Sequence, residues 1–145
     1  MDFSKCALQG LTETTALEIS EWSYEEPYDV YNFKGRPNGY LLNKDTWGKE
    51  QFCLIDNDKV IGFVACQYDH NDLWVGWSLS PLYCGQGQGH IFIKKCIEEI
   101  RKKFNYDDTI FLRVVAWNKR AIQAYQKAGF VYKDTIKDGI AYTNV

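Results

Sequence analysis

The chain has 145 residues, 46% of them hydrophobic, which suits one domain with its own core. Its formal net charge of −2 argues against a nucleic-acid partner, because the basic clusters Lys94-Lys95 and Arg101-Lys102-Lys103 are spaced to lie on a solvated helix face. Five cysteines (Cys6, Cys53, Cys66, Cys84, Cys96), no C-x-x-C pair and two histidines argue against a disulfide framework or a metal site; the lack of a long apolar run or leader-like N-terminus leads us to expect a cytoplasmic protein without membrane contact.

Ser4 to Gln9 is predicted as a short first strand. Leu11 to Ser20 reads as a helix with Thr12 as its cap and Glu13 favourable to the dipole. Pro27 suits the start of a second short helix that presents Tyr28 and Tyr31 on one side, and Lys34 to Gly39 is a loop signal. Gln51 to Asp56 and Lys59 to Tyr68 form a predicted hairpin around Asn57-Asp58. A turn at Asp69 to Asp72 leads into the strand Leu73 to Leu79.

Next comes Pro81-Leu82-Tyr83-Cys84-Gly85-Gln86-Gly87-Gln88-Gly89-His90, followed by a helical pattern with Ile93, Cys96, Ile97 and Ile100 at spacings of three and four. Thr109 to Ala116 is an apolar strand. Asn118 is placed to cap a helix from Lys119 to Ala128 that ends at Gly129. Phe130 to Ile136 and Ile140 to Asn144 make a last hairpin around Lys137-Asp138-Gly139. Antiparallel strands extended by one parallel strand through a helical crossover give an α+β fold, a mixed and mostly antiparallel sheet flanked by helices in a single domain over residues 1–145.

The strand, glycine-rich turn and helix around residue 85 can offer backbone N–H groups to a phosphate. No Lys-Ser or Lys-Thr follows the glycines, so the nucleoside-triphosphate loop is excluded. The glycine spacing, and the meander before it, do not match a dinucleotide fingerprint. Taken alone, the segment fits an unliganded turn equally well.

The stretch Pro81-x-Tyr83-Cys84-Gly85-Gln86-Gly87-Gln88-Gly89 resembles the signature Arg/Gln-x-x-Gly-x-Gly/Ala of the GCN5-related N-acetyltransferases, with Cys84 where arginine or glutamine is usual. Asn118 to Phe130 is similar to the family's other hallmark, Asn-x-x-Ala-x-x-x-Tyr-x-x-x-Gly-Phe. The resemblance is good from about Lys59 onward and looser in the first third.

That resemblance implies an acetyl-coenzyme A-dependent N-acetyltransferase acting by direct transfer on a primary amine of a small molecule or protein. The alternative is a coenzyme A-binding module that is weak or inactive in transfer. It implies a pyrophosphate held by the backbone of Gln86, Gly87, Gln88 and Gly89, with Cys84 and Gly85 beside them. Cys84 in place of a cation is expected to weaken coenzyme binding by about 0.3–1 kcal/mol; it is otherwise a small packing residue or a thiol made reactive by the helix N-terminus. The Leu79 N–H is expected to polarise the thioester carbonyl, Tyr125 to act as general acid toward the leaving sulfur, and Asn118 to cap its helix and bind the pantetheine arm.

Trp22, Tyr24, Tyr28 and Tyr31 lie where acceptor walls are expected. Asp72, His70 and Glu21 are candidate bases, alongside water. Arg113 stands in Leu112-Arg113-Val114 where relatives acting on ribosomal-protein N-termini carry glutamate. It would attract a carboxylate if it faces the cleft, and is otherwise a solvated strand residue. A monomer and a homodimer are both compatible with the sequence.

Overall fold

The computed structural model describes residues 1–34, 39–137 and 139–144. Residues 35–38 of the expected loop and Asp138 of the last turn lie outside the described residues. The N-terminal strand is shorter than expected. Asp2 accepts the Ser4 N–H at 3.0 Å and caps a 3₁₀ turn over Phe3–Lys5, so strand β1 runs only over Ala7–Gly10. Helix α1 (Glu13–Ser20) begins in a capping box. The Thr12 hydroxyl accepts the Thr15 N–H, and Thr15 Oγ1 accepts the Thr12 N–H. Pro27 then precedes a single 3₁₀ turn, Tyr28–Tyr31.

β2 (Gln51–Asp56), β3 (Lys59–Asp69) and β4 (Asp72–Leu79) form the antiparallel meander. Its turns carry Asn57 and His70 in the left-handed region, at φ 55° and 58°. Helix α2 (Gly89–Phe104) carries the chain to β5 (Ile110–Val114), which lies parallel to β4. α3 (Lys119–Lys127), β6 (Val131–Ile136) and β7 (Gly139–Asn144) complete the chain. The sheet order is β1-β2-β3-β4-β5-β7-β6. The last hairpin therefore docks through its second strand, and β6 forms the edge.

Two apolar layers cover the sheet. Phe92, Ile93, Cys96 and Ile100 of α2 pack with Ile122 of α3 onto Phe52, Leu54, Leu73, Val75, Ile110 and Leu112. On the other face Ala16 and Ile19 of α1 join Leu11, Trp22 and Leu41 over Cys53, Val60 and Phe63. A register shift opposite Leu54 and Ile55 leaves Ile61 unpaired in β3, so Ile61, Val64 and Cys66 all serve the first layer. Gly62 beside this bulge is required by packing: a Cβ there would lie 2.4 Å from the buried Phe92 ring. Gly62→Ala is expected to cost about 1–3 kcal/mol through overpacking, read as a lower denaturant midpoint at unchanged slope.

Burial also sets an alkaline limit to stability. It pushes the thiols of Cys6 and Cys53 up to about 11 and that of Cys66 up to about 12, and it holds Cys96 well above its ordinary value. An unfolded thiol ionises near 9, so the stabilisation is complete below pH 9 and is lost as pH rises toward these folded-state values. Stability near pH 10 is expected to fall by about 1.4 kcal/mol for each of the Cys53 and Cys66 thiols relative to neutral pH. Denaturant midpoints between pH 8 and 11 check this; a flat profile would contradict the assignment.

Candidate active site

β4 and β5 pair only from Leu73–Ile110 to Val75–Leu112 and then diverge. The fork opens a cleft of about 620 Å³, lined by the end of β4, the 83–90 loop, the start of α2, the end of β5, α3 and the tyrosines of the 24–31 segment. At the fork stands Gly76, with open space where a Cβ would be.

The β4 backbone presents its polar groups to this cleft. Ser80 N–H donates to Ile61 C=O at 2.9 Å. Antiparallel ladders alternate, so Leu79 is a non-bonded partner of Gly62 and directs its N–H and C=O to the opposite edge, into the fork. The carbonyl is in use there, accepting from the Tyr24 hydroxyl at 2.7 Å. Burial raises the Tyr24 phenol above its ordinary value, which keeps it a donor.

The loop from Cys84 to Gln88 turns through Gly85 at φ 75° and Gly87 at φ 71°, both with nothing near an added Cβ. α2 begins without a side-chain cap: Gln88 instead donates its Nε2 to the Met1 carbonyl at 3.3 Å, and Ile91 and Phe92 are the first amides to find the Gln88 carbonyl. The N–H groups of the first turn, the positive end of a 16-residue helix, are left open beside two side-chain-free positions. Gln86 is exposed and folds back, donating Nε2 to the Leu82 carbonyl at 3.1 Å.

Cys84 is half-buried, its Sγ 3.6 Å from the Leu79 carbonyl and 3.5 Å from that of Ser80. Burial raises its thiol, with Arg120 opposing, so the activation by the helix N-terminus considered from sequence does not dominate.

Tyr125 lies on the cleft face of α3, its ring 6.1 Å from Trp77 and 5.9 Å from Phe130. Burial pushes its phenol up to about 12, while the nearby Trp77 indole N–H pulls the other way. That indole N–H is itself buried and makes no formed hydrogen bond among the described residues. Asn118 Oδ1 accepts the Ala121 N–H at 3.1 Å and so caps α3. Its Nδ2 donates to the Tyr31 hydroxyl at 3.0 Å, so the amide also anchors the segment opposite.

Tyr24, Tyr28 and Tyr31 line the cleft, and Tyr28 and Tyr31 lie 6.1 and 6.2 Å from Trp117. Trp22 does not line it. It is 8% exposed in the second apolar layer, because the chain turns Tyr24, not Trp22, toward β4. The β3–β4 turn carries Asp72 and His70 to the end of β4 opposite Leu79, where His70 pairs with Asp69 at 2.8 Å. Glu21 is exposed and bridges to Lys34 at 3.4 Å. None of these three carboxylate or imidazole groups lines the cleft.

Arg120, whose guanidinium lies 3.8 Å over the Tyr28 ring, and Gly76 are cleft residues that sequence reasoning missed. A cation in the first turn of α3 was the available signal for Arg120; Gly76 in an otherwise regular strand gave none. Among the described residues no group of three His, Cys, Asp or Glu side chains is placed to hold a metal, and no helix is long and apolar enough to cross a membrane.

The sequence model described as "Acetyltransferase (GNAT) family" matches residues 15–130, reaching into the first third of the chain. No curated protein matches the sequence significantly. Among solved structures, the aminoglycoside acetyltransferase AAC(6')-Ib in complex with coenzyme A and kanamycin is similar at 21% identity and TM-score 0.69, over 95% of this chain and 92% of that one. A mutant of spermidine N-acetyltransferase SpeG from Vibrio cholerae is similar at 21% identity and TM-score 0.65, over 97% and 92%. An acetyltransferase of the same family from Bacillus anthracis shares 15% identity at TM-score 0.55 over 68% and 67%. At these identities the likeness is one of fold.

Proposed function

The chain belongs to the acetyltransferase (GNAT) family, and from that premise we propose that it transfers the acetyl group of acetyl-coenzyme A directly to a primary amine. The observation that carries the reading is convergence. The open first turn of α2, the fork-facing N–H of Leu79 and the Tyr125 hydroxyl all meet in one cleft. One protein of the same fold, the aminoglycoside acetyltransferase AAC(6')-Ib, has been seen with coenzyme A, both without and with kanamycin.

The residues present fit acetyl-coenzyme A. Gly85 and Gly87 leave an anion-sized approach to backbone N–H groups that any side chain would fill, and the pyrophosphate needs neither metal nor lysine there. Gln86, Gly87, Gln88 and Gly89 would supply those N–H groups, with Arg120 as the nearest cation in place of the missing one at Cys84. The free edge of β4 through Trp77 to Leu79 would hold the pantetheine arm. When bound, the coenzyme supplies an acetyl thioester whose acetyl group exchanges sulfur for the amine nitrogen.

Within that frame the Leu79 N–H stabilises negative charge on the acetyl oxygen. Tyr125 holds its proton at neutral pH and offers it to the leaving sulfur. The amine loses its proton to water in this reading: Asp72, His70 and Glu21 lie outside the cleft, and His90, the imidazole that does line it, stands in the first turn of α2 beside the glycine loop. The 24–31 segment, fixed by Tyr24 on Leu79 and Tyr31 on Asn118, walls the site.

The test is release of free thiol from acetyl-coenzyme A in the presence of a panel of primary amines, with the amide product identified by mass. Tight coenzyme binding without release for any amine would favour a binding module instead.

A further inference from the structure

Arg113 is the first β5 residue past the last β4–β5 pair, across the fork from Gly76. It is exposed, and it lines both the main cleft and a second one of about 550 Å³ on the opposite face of the sheet. The two clefts meet at Val75, Gly76 and Arg113, the point where the strands part and Gly76 offers no side chain. A small acceptor entering from the second cleft would therefore pass Arg113 before reaching the Leu79 N–H.

The surroundings of Arg113 favour a particular chemistry. Its guanidinium lies over the Trp74 ring at 5.8 Å, and Trp74 stacks on Phe111 at 5.2 Å and 26°. Stacking holds the face of the guanidinium and leaves its N–H edge for a planar bidentate partner. Among the described residues no carboxylate pairs with it: Asp69, which lines this cleft, lies against His70 at 2.8 Å, and Glu50 accepts from Tyr40 and Gln67 at 3.3 and 3.0 Å. A weakly hydrated cation at the mouth of an amine site, on an aromatic floor and without a carboxylate partner among the described residues, suits an acceptor that brings its own carboxylate.

We propose that the acceptor is a primary amine that also carries a carboxylate, such as an amino acid, with the carboxylate bound by Arg113 above Trp74 and Phe111. This rests on the acetyl-transfer reading above. It excludes simple polyamines as the preferred acceptors, since they have no group for Arg113 to bind.

The test uses the full chain, acetyl-coenzyme A and four matched pairs: phenylalanine and phenethylamine, tyrosine and tyramine, histidine and histamine, lysine and cadaverine. Thiol release is expected with kcat/KM about tenfold or more higher for the acid of at least one pair. In Arg113→Gln that difference disappears through a KM about tenfold higher for the acid with kcat little changed, and Arg113→Lys falls between. Equal or better turnover of the decarboxylated partners overturns the proposal, as does an Arg113→Gln enzyme that still prefers the acid. Release from none of the eight while coenzyme A still binds overturns it too. Failure to bind coenzyme A at all, read separately by calorimetry, overturns the acetyl-transfer reading and this inference with it.

Discussion

Tyr125→Phe is expected to lower kcat by about 10²- to 10⁴-fold, the usual worth of a positioned general acid. Coenzyme A affinity and thermal midpoint should stay near those of the parent. The substitution keeps the ring that packs on Trp77 and Phe130 and removes only the hydroxyl. Because burial pushes the phenol up to about 12, Tyr125 remains a proton donor well above pH 10, where an exposed tyrosine would have ionised. The kcat profile should therefore show no loss at pH 10 attributable to this group. Rates compared at several pH values, under saturating acetyl-coenzyme A, check both statements; a Phe variant with unchanged kcat throughout would remove Tyr125 from the chemistry.

The second large effect concerns a backbone group. Leu79→Pro removes the N–H that the β3–β4 alternation turns into the fork, and that N–H takes no part in the ladder with β3. The loss of one such donor is expected to cost about 10²- to 10³-fold in kcat. Leu79→Ala keeps the N–H and is the control for the lost side chain, which packs only partly buried against the first apolar layer. Far-ultraviolet dichroism and the unfolding midpoint of the proline variant establish that the sheet survives. A proline enzyme as fast as the alanine one would show that the donor is idle.

Both effects depend on the fork, which the sequence only partly discloses. Periodicity placed β2 over Gln51–Asp56 as the structure has it, and put the ends of β3, β4 and α3 within a residue or so. These elements are specified locally, by alternation, by Thr12 and Asn118 as caps, and by turn residues such as Asn57. The first strand was misjudged because Asp2 binds the Ser4 backbone and tightens it into a 3₁₀ turn before the chain can extend. The short turn at Lys44–Thr46 was missed because it has no apolar period.

Side-chain placement was legible only where a motif fixed it. Tyr125 and the glycine loop stand on motifs, and both line the cleft. Trp22 and Tyr24 are two residues apart and chemically alike in sequence, yet one is core and the other donates to Leu79. Which of the two turns inward depends on the path from α1 to the 28–31 turn, a tertiary matter.

What the sequence by itself determined is the order of elements, the α+β class and the glycine-loop and Asn118–Phe130 motifs that point to the family, because caps, periods and turn residues act within a few positions of each other. What only the tertiary structure decided is the fork: where β4 leaves β5, that Leu79 faces it, that Asn118 reaches Tyr31, and that Arg113 stands at its mouth over Trp74. Those contacts join residues tens of positions apart, and strand divergence and side-chain orientation follow from packing across the whole sheet, which no local pattern encodes.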